Sequence, residues 1–267
     1  MTLRIAATAL AAAVAGIPFT AAAYPGGTPD YQTDVAPFCA ACHASRSADA
    51  LAGAGERADK ELAERKHIAV ILSGQQGYAN LGEADRQTLV EQIRKLDAAS
   101  SVKLKAPSSV KRGETFLVQV SLTGGAGPVV GVALVDRAHR WYARPAPSAG
   151  WSVIAPPEMR VANGQPADQW LQKRPEAAGR NLSFVNVPGV QSDAALGKWG
   201  AAEVVFTLRA PDRPGSYPLA AAYFYGTEKS TVLGYTTNAL GVKEVRGGFD
   251  GGSGRVIFTP VQQIQVE

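Results

Sequence analysis

The most informative stretch of this chain is Cys39-Ala40-Ala41-Cys42-His43, and the predicted organisation of the chain starts from it. Its C-x-x-C-H pattern is typical of a covalent attachment site for c-type haem. The two thiols lie about one helical turn apart, so each can form a thioether to one vinyl edge of a porphyrin. The adjacent histidine then lies beneath the porphyrin ring, where one of its ring nitrogens can bind the iron. The sequence predicts one haem c bound through Cys39 and Cys42, with His43 as an axial iron ligand.

Two other readings of this motif remain open. A redox disulfide uses two thiols at the same spacing, although the βαβ pattern of a thioredoxin-like protein is not visible around it. A structural zinc site needs four ligands, and two cysteines do not supply a Cys-rich set. Because the motif contains both cysteines of the chain and one of its 3 histidines, haem is the favoured interpretation.

Residues 1–23 have the pattern of a secretory signal peptide. Arg4 precedes an apolar run from Ile5 to Phe19, and Ala21-Ala22-Ala23 provides a small-residue cleavage site before Tyr24. An uncleaved anchor is the alternative. No later stretch has the roughly 18 continuous apolar residues of a transmembrane helix. We therefore expect an exported or periplasmic protein without an integral membrane span after signal cleavage.

A change of composition near residue 100 predicts a domain boundary. Residues 44–100 are rich in Ala, Glu, Arg, Lys and Leu, whereas the chain from Val102 onward is rich in Val, Thr, Pro, Gly and aromatic residues. A chain of 267 residues accommodates one large or two modest domains. We therefore expect a haem domain over residues 24–100 and a second domain over residues 101–267.

The charge balance shifts at the same place. Residues 24–100 contain eight Lys and Arg against eleven Asp and Glu, a net charge of −3, whereas residues 101–267 contain eighteen against twelve, a net charge of +6. The basic excess is mild and contains no long Lys/Arg run. A solvated surface is therefore favoured over nucleic-acid binding, and no nucleic-acid partner is predicted.

Two helices are predicted after the motif. The first spans residues 59–72 and ends before Gly74. The second spans residues 84–96, and Asn80 with Glu83 three residues later can cap its start. Its apolar residues recur at helical spacing and predict one buried face, formed by Leu89, Val90, Ile93 and Leu96.

In this order of motif, helix, loop and final helix, residues 39–97 resemble the small monohaem class I cytochrome c domain. The resemblance implies a helical wrapper around one haem, with Cys39 and Cys42 matching the thioether cysteines and His43 the proximal ligand. The chain departs from that family in lacking its helix before the motif. It also lacks the family's distal methionine, because the loop before the last helix, residues 75–80, contains none.

The sixth iron ligand must therefore be another residue or be absent. His67 is the candidate second axial ligand, because it lies 24 residues after His43 on a helix expected to pack near the ring. A surface histidine is the competing interpretation, and Tyr78, His139 or an open coordination position are further alternatives. Replacing methionine by histidine removes the ligand that raises haem potential, so a bis-His haem would be a low-potential carrier.

From Val102 onward the sequence predicts β-structure. Seven short β-branched or aromatic runs are separated by Pro and Gly turns, at residues 102–105, 115–122, 129–135, 182–187, 203–208, 219–225 and 255–266 with a break at Pro260. Seven such runs are typical of an immunoglobulin-like sandwich. The predicted fold class is α+β multidomain: a small all-α cytochrome c-like domain followed by an all-β immunoglobulin-like β-sandwich domain.

Two long interruptions of this pattern, residues 137–180 and 226–253, are candidate recognition sites. Residues 137–180 contain Trp141, Tyr142, Trp151 and Trp170, which indicate either a binding surface or core packing. The glycine-rich residues 247–254 resemble a hairpin tip more than a phosphate loop, because no helix follows them.

These observations favour an exported monohaem c-type cytochrome acting in electron transfer. The β-sandwich domain would then dock it to a redox partner protein. No Ser/His/Asp or paired-carboxylate arrangement is visible, so an electron carrier is favoured over a catalyst. The alternatives are a haem-based small-ligand binding or sensing protein and a non-haem dithiol module on an adhesion-like domain.

Overall fold

The computed structural model describes residues 63–75, 78–139, 143–161, 165–166, 182–228, 234–237, 243–246 and 254–267. The signal peptide and the C-x-x-C-H motif lie outside these ranges. Fourteen strands are present in the described residues: β1 (Ser101–Lys105), β2 (Ser109–Val110), β3 (Thr115–Thr123), β4 (Ala126–Val135), β5 (Ser152–Val153), β6 (Glu158–Val161), β7 (Gln165–Pro166), β8 (Phe184–Pro188), β9 (Ala201–Arg209), β10 (Gly215–Gly226), β11 (Gly234–Thr237), β12 (Lys243–Arg246), β13 (Gly254–Phe258) and β14 (Gln262–Val266).

The strands form two six-stranded sheets and one two-stranded ribbon. The first sheet has the order β1-β3-β9-β6-β7, and β5 also pairs with β9. The second has the order β2-β14-β10-β4-β8, and β13 also pairs with β10. The ribbon consists of β11 and β12. The twelve-residue β10 organises the second sheet, because β4 pairs along one side of it while β14 and β13 share the other.

The main core lies between the two six-stranded sheets. Inward residues of β3 and β9 alternate with more exposed ones, as expected for strands with one buried face. They meet buried residues of β4, β8, β10 and β14. Trp151 is part of this core, where its ring packs edge-on against Phe116 and Tyr217 and its Nε1 donates to the Pro218 carbonyl at 2.9 Å. Trp151 therefore serves packing rather than an exposed binding surface.

Within the described residues, two helical segments lie before β1. A π-helical turn, Glu64–Ile68, runs directly into α1 (Ala69–Leu72), and α2 spans Glu83–Ala99. Gly74, with a φ of 68°, follows α1, as predicted. The predicted cap at Asn80 is wrong, since Gly82 is the N-cap residue and no side chain caps α2. No helix in the described part of the chain is long and apolar enough to cross a membrane.

The helices share a small apolar cluster whose members are all buried: Ile68, Ile71, Tyr78, Val90 and Ile93. The predicted buried face of α2 is confirmed for Val90, Ile93 and Leu96, and Leu89 is partly buried.

The end of α2 is joined tightly to the sheets. α2 ends at Ala99 and β1 begins at Ser101. The Ser100 hydroxyl donates to the Leu96 carbonyl at 2.7 Å and accepts from the Gly125 N–H at 2.7 Å. Gly125 has a φ of 68°, and a Cβ atom there would lie 2.2 Å from the Tyr223 hydroxyl. Only glycine therefore allows this close approach of the β3–β4 turn to the sheet.

The predicted fold class is wrong. The described residues are mostly β-strands in two sheets, and no separate small all-α cytochrome domain is evident among them. The helices were correctly placed in the sequence, but α2 continues into β1 and is bonded to the sheets through Ser100. Helical spacing of apolar residues indicates which face of a helix is buried. It does not indicate whether that face packs against another helix or against a sheet.

Candidate functional site

The predicted site residues fall into two groups. Cys39, Cys42 and His43 lie outside the described residues. His67 is described, and it lies in the π-helical turn with only 2% of its surface exposed. π-Helical turns occur frequently at functional sites, and a buried histidine needs partners for its ring nitrogens. His67 is therefore the starting point for the site.

Two charged residues bracket the His67 ring. Its Nδ1 lies 2.9 Å from a terminal nitrogen of Arg255, and its Nε2 lies 2.9 Å from Oε1 of Glu228. A guanidinium only donates hydrogen bonds, so Nδ1 must accept from Arg255. The ring proton is then on Nε2, which donates to the Glu228 carboxylate. These hydrogen bonds therefore fix one tautomer of the His67 ring.

Glu228 lies just past the end of β10, and its carboxylate accepts hydrogen bonds from three donors. Besides His67, the Tyr78 hydroxyl donates to Oε1, and the Thr227 hydroxyl donates to Oε2 at 2.6 Å. Burial acts to raise the pKa of Glu228, but the hydrogen bonds from His67, Thr227 and Tyr78 outweigh it and lower the pKa to about 2. Glu228 therefore stays ionised although only 12% of its side chain is exposed.

Tyr78 links this arrangement to the apolar cluster of the helices. It is buried beside Ile68 and Ile71 in the apolar cluster of the helices. Burial raises its pKa, and the hydrogen bond to the Glu228 carboxylate raises it further. Tyr78 therefore remains a neutral donor at any ordinary pH.

Arg255 connects His67 to the end of α2. Its Nε donates to Oδ2 of Asp97 at 3.1 Å, and the Tyr225 hydroxyl donates to Oδ1 of the same carboxylate at 3.0 Å. The antiparallel register of β10 and β13 places Tyr225 opposite Arg255. Tyr225 of β10 and Arg255 of β13 therefore both donate to Asp97, near the C-terminal end of α2. Burial, and then the Asp97 charge, raise the pKa of Tyr225.

We call this set of seven residues the junction cluster: His67, Tyr78, Asp97, Tyr225, Thr227, Glu228 and Arg255. It contains two carboxylates and one guanidinium, and it lies where the helices meet the ends of β10 and β13. Within the described ranges, no group of three or more His, Cys, Asp or Glu side chains could hold a metal ion. The cluster can fix the helices on the sheets, hold the His67 ring in one tautomer and keep a buried carboxylate ionised.

Iron ligation by His67 needs a ring nitrogen with an available lone pair. Nδ1 uses its lone pair for Arg255, and Nε2 carries the proton donated to Glu228. Binding iron would require His67 to release one of these hydrogen bonds. Ligation by His67 stays a prediction, and the described arrangement does not favour it.

The other potential iron ligands lie in different surroundings. Met159 is buried in the core between the sheets, so it is held away from any surface site. His139 follows β4 and is partly buried. Tyr78 donates to Glu228 in the junction cluster.

Sequence reasoning missed most of the junction cluster. Glu228 and Arg255 lie 161 and 188 residues from His67 along the chain, so no local spacing connects them. The available signal was weak: Thr227 and Glu228 follow directly after the apolar β10. A charged residue placed immediately after a buried strand can indicate a functional strand end.

Comparison with known proteins finds no protein-family model that matches this chain and no curated protein that is similar to it.

Proposed function

We propose that the protein is an exported monohaem c-type cytochrome that acts in electron transfer. Cys39 and Cys42 would hold one haem through thioethers, with His43 as an axial ligand. The observation that carries this proposal is the C-x-x-C-H motif, which uses both cysteines of the chain. When bound, such a haem supplies a one-electron couple. The sheets would serve as the platform that docks the protein to a redox partner.

The junction cluster holds the first described segment after the motif. His43 lies twenty residues before Ala63, where the described helical segment begins. His67 is hydrogen-bonded to Glu228 and Arg255, so this helical segment is held on the sheets by buried charged side chains.

The identity of the sixth ligand decides between the proposed function and a second candidate. Met159 is packed in the core, and the only other methionine is Met1. Both ring nitrogens of His67 are hydrogen-bonded. These observations favour an iron with an open or exchangeable position, which would suit haem-based small-ligand binding or sensing.

Carbon monoxide separates the two functions. Protein expressed in the periplasm should be reduced and its visible spectrum recorded with and without carbon monoxide. Electron transfer through a six-coordinate haem predicts a low-spin spectrum that changes little. Immediate carbon monoxide binding to a high-spin haem would favour the second candidate, and the absence of any haem spectrum would contradict both.

Variants of His67 test its candidate role. If His67 ligates iron, His67→Ala converts a low-spin spectrum to high-spin and accelerates carbon monoxide binding. Thr227→Val is the matched control, because it removes the hydrogen bond from the Thr227 hydroxyl to Glu228 in the same cluster and leaves the histidine and Tyr78 in place. If His67→Ala leaves the spectrum unchanged, His67 is not an iron ligand.

The docking role is tested by electron-transfer rates across ionic strength. Residues 101–267 carry a net charge of +6, so we expect the rate with an acidic acceptor to fall with added salt, since the Debye length shrinks to about 3 Å at 1 M. A rate that is independent of salt for both acidic and basic acceptors would contradict electrostatic docking.

A further inference from the structure

A cleft opens between α2 and the loop that precedes β9. Its volume is about 550 Å³, which lies within the range of small-molecule sites. One wall is α2, and another is the turn around Asp193 and Lys198. The backbone N–H and C=O groups of these two residues are hydrogen-bonded to each other. The lining residues are Leu89, Gln92, Ile93, Leu96, Ala126, Gln191, Ser192, Asp193, Ala194, Ala195, Lys198, Thr227 and Glu228.

The α2 wall of the cleft presents three apolar side chains beside Gln92. Leu89, Ile93 and Leu96 lie on one face of the helix because they are spaced three and four residues apart. Ala194 and Ala195 face them from the loop. This part of the cleft suits a hydrocarbon body, which gains free energy by leaving water.

The described lining residues carry a net negative charge. Asp193 and Glu228 contribute two carboxylates, and Lys198 is the one Lys or Arg among these described residues, a net of −1. The Glu228 carboxylate accepts hydrogen bonds from His67, Tyr78 and Thr227. Its Oε2 accepts one hydrogen bond from the described residues, from Thr227. A carboxylate oxygen can accept two, so Oε2 has capacity for a further donor.

The carboxylate acceptors of this lining fit an ammonium better than a metal ion. The described residues hold no group of three His, Cys, Asp or Glu side chains suited to a metal. A metal ion would therefore have too few protein ligands here. A protonated amine needs only one or two acceptors, since its three N–H donors can also bond to water.

We propose that this cleft binds a small organic cation, a primary ammonium with an aliphatic body. The ammonium donates to Glu228 Oε2, and the body packs along Leu89, Ile93 and Leu96. This inference is independent of the haem, because none of its residues belongs to the motif.

Calorimetric titration of the full-length protein with n-hexylammonium tests the site, with hexanol and hexanoate as neutral and anionic probes of similar body. We expect hexylammonium to bind at least tenfold more tightly than either. Glu228→Gln should weaken hexylammonium binding at least tenfold. Glu91→Gln is the matched control, because it removes an exposed carboxylate from α2 that does not line the cleft.

A second variant tests the site without disturbing the junction cluster. Ala195→Trp places a bulky side chain on an exposed lining position, so it should block binding while the protein stays folded. It decides the question if Glu228→Gln fails to fold. Equal affinity for the three probes, or hexylammonium binding that survives Ala195→Trp, would overturn the proposal.

Discussion

The core between the sheets and the junction cluster are stabilised in different ways. In the core, apolar residues of β3 and β9 repeat at every second position, and the contacts among them are non-directional. In the junction cluster, a few charged side chains make directional hydrogen bonds, such as those from Arg255 to His67 and Asp97. The stability of the core therefore depends on how well its side chains fill the space between the sheets. The stability of the junction cluster depends on the geometry of its hydrogen bonds and on the protonation of its side chains.

The largest effect is expected from emptying the core. Trp151→Ala removes a fully buried ring and its hydrogen bond to Pro218, which should cost about 4 kcal/mol of unfolding free energy. Urea unfolding measures this loss. Leu117→Ala is the control, because Leu117 is 62% exposed on β3 and should change the stability by at most about 0.5 kcal/mol. Equal effects of the two variants would mean that the core is misassigned.

Removing the guanidinium from the junction cluster should have the next largest effect. Arg255→Met leaves Asp97 and Nδ1 of His67 without that donor, and the loss of a buried charged partner costs about 3 kcal/mol. Hydrogen exchange should accelerate in α2 more than in β3.

Arg255→Lys sharpens this test, because an ammonium keeps the charge but does not reproduce the fork that reaches both partners. We expect it to restore only part of the lost stability. Full recovery with Lys would show that charge alone, rather than geometry, holds the cluster together.

Acid should weaken the junction cluster before the core. The pKa of Glu228 is depressed from 4.5 to about 2 in the folded protein. Its stabilisation is therefore fully present above pH 4.5 and is lost as the pH falls towards 2, a loss of about 2 kcal/mol after allowing for its partial exposure. Unfolding free energies measured from pH 5 to pH 2 check this, and Glu228→Gln should flatten the profile. A profile that Glu228→Gln leaves unchanged would contradict the assignment.

The smallest effect is expected at an exposed ion pair. Glu64 and Arg94 lie 3.2 Å apart with about half of each side chain exposed, so Glu64→Gln should cost no more than about 0.5 kcal/mol. A loss comparable to that of Arg255→Met would remove the distinction between buried and exposed charges in this region.

The strands and helices were more predictable than their assembly. Alternation in β3 and helical spacing in α2 are local signals, and both elements occur where they were predicted. The prediction of a separate small all-α domain is wrong, because the described residues are mostly β-strands in two sheets, and α2, which ends at Ala99, is followed at Ser101 by β1. The change of composition near residue 100 coincides with this change from helix to strand.

The candidate site was less predictable than the elements that carry it. His67 was selected for its residue type and helical position, but its partners come from β13 and the end of β10. No periodicity connects residues so distant in the chain. Their meeting depends on the register of β10 with β13, which places Tyr225 opposite Arg255. The sequence pattern alone does not specify that register.

The intact mass of the mature protein tests the covalent haem most directly. The protein should be expressed with periplasmic haem attachment and measured under denaturing conditions. We predict the mass of the chain from Tyr24 plus one haem, and the mass of the chain alone for the Cys39→Ala, Cys42→Ala double variant. A wild-type mass equal to the chain alone, or lower by the two hydrogens of a Cys39–Cys42 disulfide, would contradict the proposed cytochrome.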